Sequence, residues 1–327
     1  MANILQPTEE NLRDLRKFLL FGGLAGVPTE TVYGLAANAF DPEACSKIFE
    51  VKQRPANDPL ICHVPDVKAL EKICETNPLA LRLAKRFWPG ALTFVLPKKD
   101  TIPDIVTAGL GSVAVRCSAH PDFHRLVEQC EFPIAAPSAN PFAYISPTTA
   151  QHVEASLGSK INFILDGGPC QFGVESTIID LRDESNPRIL RYGALPIEEI
   201  EVELGRSIDK PAVTTADESV QHLAPGALPK HYSPRTPLEL RGGLSPEDLE
   251  NLADNEAALL LSRPAGDTPA NVFWLSEDGK LADIASSLYA KMRELDESGF
   301  DKILAEEAPE LGLGLAINDR LRRASFR

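Results

Sequence analysis

The sequence predicts an α/β protein, a sheet of mixed strand direction carrying helices, followed by a smaller α/β domain. Three observations lead there. Short apolar runs of strand length recur from residue 24 to 191, and amphipathic stretches of helical period lie between them. The two kinds do not alternate strictly, as an all-parallel sheet would require. The period is then lost from about 206 to 235 and returns afterwards. A chain of 327 residues is too long for one ordinary core. The expected units are therefore 1–205, a linker at 206–235, and 236–327.

The elements follow in order. Thr8 is the N-cap of a helix running to about Leu20, with Leu12, Leu15, Phe18 and Leu19 on one face and Gly22-Gly23 ending it. Leu24-Ala25-Gly26-Val27 reads as a short strand that Pro28 breaks into a polar turn, Thr29-Glu30-Thr31-Val32-Tyr33-Gly34. Asp41-Pro42 opens a helix that delivers Lys52 and Arg54. Residues 60–64 form a buried strand, helices are expected at about 66–75 and 78–87, and Trp88-Pro89-Gly90 stops the second. Further strands are expected at 91–96, 113–117, 132–136, 163–165, 177–181 and 188–191, and helices at 121–129, 148–157 and 196–204. Either Ser146 or Thr148 fits the cap of the helix after 148. The second unit offers strands at 257–262 and 272–275, an amphipathic helix at 281–295, and a turn at Gly312 and Gly314 before a last helix.

Composition narrows the class. Hydrophobic residues make up 43% and charged residues 24%, as in soluble globular chains. No apolar run approaches a bilayer span, and the first residues lack the basic start and apolar core of a signal peptide. Six scattered cysteines without a C-x-x-C pair fit reduced core residues in a cytoplasmic protein without structural zinc. A formal net charge of −14 opposes long-range attraction to nucleic acid, yet it permits a small cationic pocket for an anionic metabolite.

Two segments suggest such a pocket. Lys52-Gln53-Arg54-Pro55 places two cations on alternate positions, which point the same way in extended chain. Pro137-Ser138-Ala139-Asn140 is a tight polar turn after the apolar run Phe132-Pro133-Ile134-Ala135-Ala136. A lysine point charge, an arginine fork and a Ser/Asn turn together suit a polyphosphate. Read alone, the same cations are an ordinary helix end, which the helix dipole favours. Arg116 ends an apolar strand and needs an anionic partner, so a bound carboxylate is one candidate. His63, inside an apolar strand, reads equally as a satisfied core histidine. Glu175-Ser176-Thr177 is a second polar strand entrance, and Arg191-Tyr192-Gly193 and His231-Tyr232-Ser233-Pro234 are unremarkable when taken singly.

In order and spacing these segments are not ordinary. Val27-Pro28-Thr29-Glu30-Thr31-Val32-Tyr33-Gly34-Leu35, Ile48 through Pro55, Asp58-Pro59-Leu60-Ile61 and Trp88-Pro89-Gly90-Ala91-Leu92-Thr93 belong to the pattern. Val115-Arg116, Ala136 through Asn140, Glu175-Ser176-Thr177 and Arg191-Tyr192-Gly193-Ala194 continue it. Pro225-Gly226, His231 through Pro234, Gly312 through Ile317, Asp319-Arg320-Leu321 and Arg323-Ala324 complete it. Together they resemble the YrdC-type threonylcarbamoyl-AMP synthase family in its long form, over nearly the whole chain. Gln53 stands where that family commonly has glycine, and residues 227–230 are less basic than its usual linker.

The resemblance implies a twisted α/β sheet with a large basic cavity. It also implies the conversion of L-threonine, bicarbonate and ATP into threonylcarbamoyl-AMP and pyrophosphate, with Mg2+ on the ATP. The product would pass to a separate transferase that modifies tRNA. On the family's pattern, Arg116 takes the threonine carboxylate, with Thr31, His63, the Ala136 backbone and Ser176 around the amino acid. Lys52 and Arg54 are the catalytic cations. Ser138, Asn140 and Ser146 hold the nucleotide, with Asp58, Ser112 and Arg191 as weaker candidates and Tyr232 as a lid.

Other readings predict different features. An RNA-binding module would use the same concave basic surface. A carbamoyl-adenylate enzyme of hydrogenase maturation would need an acylphosphatase-like region and cysteine-rich zinc motifs, which the sequence lacks. An inactive regulator would have little reason to keep Lys52, Arg54, Ser138 and Asn140.

Overall fold

A computed structural model describes residues 1–211, 223 and 231–326. Most of the expected linker, with Pro225-Gly226 and residues 227–230, lies outside the described residues.

The first part of the chain runs β1 (Asn3–Leu5), α1 (Glu9–Leu20), β2 (Ala25–Val27), β3 (Gly34–Asn38), α2 (Pro42–Lys52), β4 (Ile61–His63), α3 (Val67–Ile73) and α4 (Pro78–Phe87). It continues through β5 (Leu92–Pro97), β6 (Ser112–Arg116), α5 (Pro121–Gln129), β7 (Ile134–Ala135), α6 (Ala150–Leu157), β8 (Phe163–Leu165), β9 (Thr177–Asp180), β10 (Arg188–Arg191) and α7 (Ile197–Leu204). These strands form one sheet in the order β1-β8-β2-β3-β7-β4-β6-β5-β9-β10. Its direction is mixed: β4 runs parallel to β6 and β5 to β9, whereas β5 opposes β6 and β7 opposes β3 and β4.

Local signals explain the helix ends. The Thr8 hydroxyl accepts from the Asn11 amide at the start of α1. Asp41 accepts from Glu43 and Ala44 ahead of α2, with Pro42 at its first position. At the other end of α2, Gln53 takes the left-handed φ of 55°, which explains why glycine suits this place. The helix after 148 is capped by Thr149, which accepts from His152, and not by Ser146 or Thr148.

Strand alternation sorts the sheet into two faces. Leu35, Ala37, Cys62 and Ala135 join the main core with residues of α2, α3, α4 and α6. Ala36, Ile134 and Ala136 pack instead under α1 and α5, against Leu12, Leu15, Phe123 and Leu126. On that second face Ile61, Val95, Ala114 and Ile178 form a small separate cluster. His63 and Arg116 follow Ile61 and Ala114 by two positions, so they share this face.

The second part comprises β11 (Leu238–Arg241), α8 (Pro246–Glu250), β12 (Glu256–Ser262), β13 (Val272–Ser276), α9 (Leu281–Glu297), β14 (Lys302–Glu306) and α10 (Leu313–Ala324). Its strands form a parallel sheet in the order β11-β14-β12-β13. Its core is continuous with the first part, because Val32, Ala91, Ile145, Val174, Ala194 and Tyr232 pack among Leu288, Tyr289, Met292 and Ile317.

Candidate active site

A pocket opens at one end of the large sheet. His63 and Arg116 are register partners at the ends of the parallel strands β4 and β6. The antiparallel β5 places Thr93 opposite Arg116, and Ser176 precedes β9 beside it. The turn after β7 adds Ala136, Pro137 and Ser138, with Gly34 bridged to Ser138. Thr29, Thr31, Val32, Arg54, Ile61, Glu175, Arg191, His231 and Tyr232 complete the lining. The cavity measures about 40 Å3. Small-molecule sites usually enclose roughly 300–1,000 Å3, so the space here is smaller than the expected large cavity, and His231 and Tyr232 are among its walls.

The arginines of the wall meet acidic or hydrogen-bonding partners. Arg116 pairs with Glu30 at 2.6 Å, donates to the Thr31 hydroxyl at 2.8 Å and donates to the Gly90 carbonyl at 3.1 Å. Glu30 also accepts from the Ser118 hydroxyl. Burial pushes the Glu30 carboxyl up, but the Arg116 charge and the Ser118 hydrogen bond outweigh it and hold it at about 2. Arg54 pairs with Asp58 at 2.9 Å and donates to the carbonyls of Asp58 and Pro59. Arg191 donates to the Ser176 carbonyl through two nitrogens and to its hydroxyl at 3.2 Å. Such pairing is what burial demands, because an isolated charge in the wall would be too costly.

The neutral groups are equally constrained. Burial, followed by the Arg116 charge, lowers His63 to about 3, so it is neutral at physiological pH. The ring hydrogen-bonds the Ala136 backbone, and Nδ1 has no hydrogen-bond partner among the described residues. The Ser176 hydroxyl shares a 2.7 Å hydrogen bond with Thr93.

The expected site residues therefore fall into two groups. Thr31, Arg54, His63, Arg116, Ala136, Ser138, Ser176, Arg191 and Tyr232 line one pocket. The others stand behind it or away from it. The Lys52 ammonium is buried beneath the 138–140 turn, where it donates to the carbonyls of Ser138 and Asn140 at 2.5 Å each. Burial, then the Arg54 charge, press it well below the usual lysine value. Asp58 is the partner of Arg54. The Asn140 amide donates to Pro141 and Tyr144, bracing the next turn. Ser146 donates to Glu175 at 2.6 Å. Ser112 begins β6, four residues from Arg116 and so about 13 Å away along the strand. The structure does not bring Ser112 into the pocket.

Sequence reasoning passed over several residues. Glu30 and Glu175 stood inside polar turns that it noted, but it gave them no task. Glu175 accepts from Tyr289 at 3.0 Å and from Arg320 at 2.7 Å, both supplied by the second part of the chain. Arg293 of α9 donates to the carbonyls of Ser146 and Ile145. Arginines in amphipathic helices gave no signal that they point into another domain.

Among the described residues no group of three His, Cys, Asp or Glu could hold a metal ion, and no helix is long and apolar enough to cross a membrane.

Comparison with known proteins matches both parts. The family described as "Telomere recombination", that of the Sua5, YciO and YrdC proteins, matches residues 17–193. The family described as "Threonylcarbamoyl-AMP synthase, C-terminal domain" matches residues 195–325. The threonylcarbamoyl-AMP synthase of Pyrococcus abyssi is 43% identical, over 99% of this chain and 97% of its own length. That of Bacillus subtilis is 41% identical, over 91% of this chain and 88% of its own. The crystal structure of Sua5 from P. abyssi, complexed with L-threonine, is similar with a TM-score of 0.91 at 41% identity, covering 99% of this chain and 98% of that one.

Proposed function

The chain belongs to the threonylcarbamoyl-AMP synthase family, and from that premise we propose that it joins L-threonine, bicarbonate and ATP into threonylcarbamoyl-AMP, releasing pyrophosphate. The reaction is a nucleotidyl transfer. The threonine amine condenses with bicarbonate to a carbamate, losing water. A carbamate oxygen then attacks the α-phosphorus in line, and the bond to the β-phosphate oxygen breaks.

One observation carries this reading. In a chain of net charge −14, Arg54, Arg116 and Arg191 converge on a single pocket beside the hydroxyls of Thr31, Ser138 and Ser176. Arg116 donates one N–H to Gly90 and one to Thr31 and is ion-paired with Glu30, and its remaining N–H groups are assigned to the threonine carboxylate. Neutral His63 offers Nδ1 as an acceptor to the amine or hydroxyl of threonine. Arg54 and Arg191 take the phosphate charge. Lys52 acts one step behind, holding the turn that presents Ser138. Magnesium arrives as part of the MgATP substrate. No side chain is needed as a strong base, because holding two reactants in line contributes roughly 7–11 kcal/mol by itself.

The product would serve a tRNA-modifying transferase in the cytoplasm, where the six free cysteines stay reduced. The test is incubation with MgATP, bicarbonate and threonine, with mass detection of the adenylate. Product that forms equally well without threonine would overturn the reading. So would salt-sensitive RNA binding with no consumption of ATP.

A further inference from the structure

Thr93 stands on β5 with Arg116 of β6 as its register partner on one side and Ile178 of β9 on the other. Val95, two residues on, belongs to the small apolar cluster on this face of the sheet, so Thr93 shares the face with Arg116. The position is fully buried. A valine would fill the same space, suit a strand as well and bury no polar group. The hydroxyl therefore costs free energy unless it is satisfied. Among the described residues its one hydrogen-bond partner is the Ser176 hydroxyl, 2.7 Å away.

Counting protons fixes the direction of that bond. A hydroxyl carries one proton and two lone pairs. If Ser176 donated, the Thr93 proton would be left buried without an acceptor. Thr93 therefore donates and Ser176 accepts. Ser176 Oγ also accepts from Arg191 at 3.2 Å. Both of its lone pairs are then filled, while its own proton has no acceptor among the described residues. Ser176 lines the pocket together with Arg116, whereas Thr93 is not a lining residue. The Ser176 hydroxyl is thus set as a donor toward whatever enters, and the Arg191 charge draws electron density from its oxygen.

We infer that Thr93 is a positioning residue whose hydroxyl fills an acceptor site on Ser176 and so turns the Ser176 proton onto the carboxylate of the amino-acid substrate. This rests on the reading that the pocket takes threonine with its carboxylate at Arg116.

The test is calorimetric titration of the full chain with L-threonine, followed by steady-state kinetics with MgATP and bicarbonate. Thr93→Val keeps the branched shape and removes the hydroxyl. The dissociation constant and the KM for threonine should both rise about three- to tenfold, with kcat and the KM for ATP within about twofold. Thr93→Ser returns the hydroxyl and should bring threonine affinity to within about twofold of the parent. In a Ser176→Ala background Thr93→Val should change nothing further, because the proton it directs is gone. An unchanged dissociation constant in Thr93→Val overturns the proposal. So does a loss that Thr93→Ser shares, or one that persists beside Ser176→Ala, since either would be an effect of packing. If Thr93→Val melts well below the parent, Thr93→Ala against Thr93→Ser makes the same comparison in two chains that have both lost the methyl group. A parent that binds no threonine would overturn the amino-acid reading of the pocket, and the inference with it. A parent that binds threonine beside an indifferent Thr93→Val overturns the inference alone.

Discussion

Glu30 and Arg116 form an ion pair 2.6 Å long inside the pocket wall, with side chains only 4% exposed each. The pair answers the charge of Arg116 before any ligand arrives. Its carboxyl lies at about 2, below the ordinary 4.5. A depressed carboxyl stabilises the fold above its unfolded value, and that contribution is lost as pH falls from about 4.5 toward 2. The shift corresponds to about 3 kcal/mol. Urea unfolding of the parent and Glu30→Gln should therefore differ most above pH 5, and the gap should narrow toward pH 3. A gap that stays constant over that range would refute the pairing.

Arg116→Lys should raise the KM for threonine by roughly tenfold to a hundredfold and leave the KM for ATP within about twofold. Steady-state kinetics with each substrate varied in turn decides it. Equal rises in both constants would remove Arg116 from the carboxylate.

Lys52→Met leaves the carbonyls of Ser138 and Asn140 without their buried donor. Each orphaned acceptor costs about 1–3 kcal/mol. The melting temperature should fall and threonine-dependent ATP–pyrophosphate exchange should vanish. Loss of exchange with unchanged stability would mean that the ammonium faces the phosphates directly.

Gly193 supports the floor of the site. A Cβ there would lie 2.2 Å from the Ser176 carbonyl carbon and 2.4 Å from the Glu175 carbonyl oxygen, both backbone atoms. Gly193→Ala should displace residues 175–177 and destabilise the chain by about 1–3 kcal/mol, with activity lost even where the protein folds. Full activity in Gly193→Ala would show that this segment can yield.

Much of this was legible in the sequence. The cap at Thr8, the Asp41-Pro42 start and the strands around His63 and Arg116 all carried local signals. β3 did not: Gly34-Leu35-Ala36-Ala37-Asn38 is poor in β-formers, and its central place in the sheet overrides propensity. β1, β11 and β14 were likewise too short or too plain to read. In the site, the motifs supplied the cations but not their partners. Lys52 and Arg54 stand one residue apart in sequence, yet one props a turn from beneath and the other meets Asp58 and the cavity. A helix ending in left-handed Gln53 separates them, which the alternation of an extended strand does not anticipate. Contacts from Tyr289, Arg293 and Arg320 depend on how two domains dock, and no local pattern encodes that.

The two-residue strand β7 has a consequence for biosynthesis. It lies between β3 and β4, so the middle of the large sheet cannot zip until Ile134 and Ala135 exist. Ribosomes add roughly 5–20 residues per second, so about 4 to 14 seconds separate the synthesis of His63 from that of Ile134. Until then one edge of β3 and one edge of β4 lack the strand that covers them both in the finished sheet, a template for misassembly with neighbouring chains. Heat or a shortage of chaperones should therefore harm newly made chains before it harms finished ones.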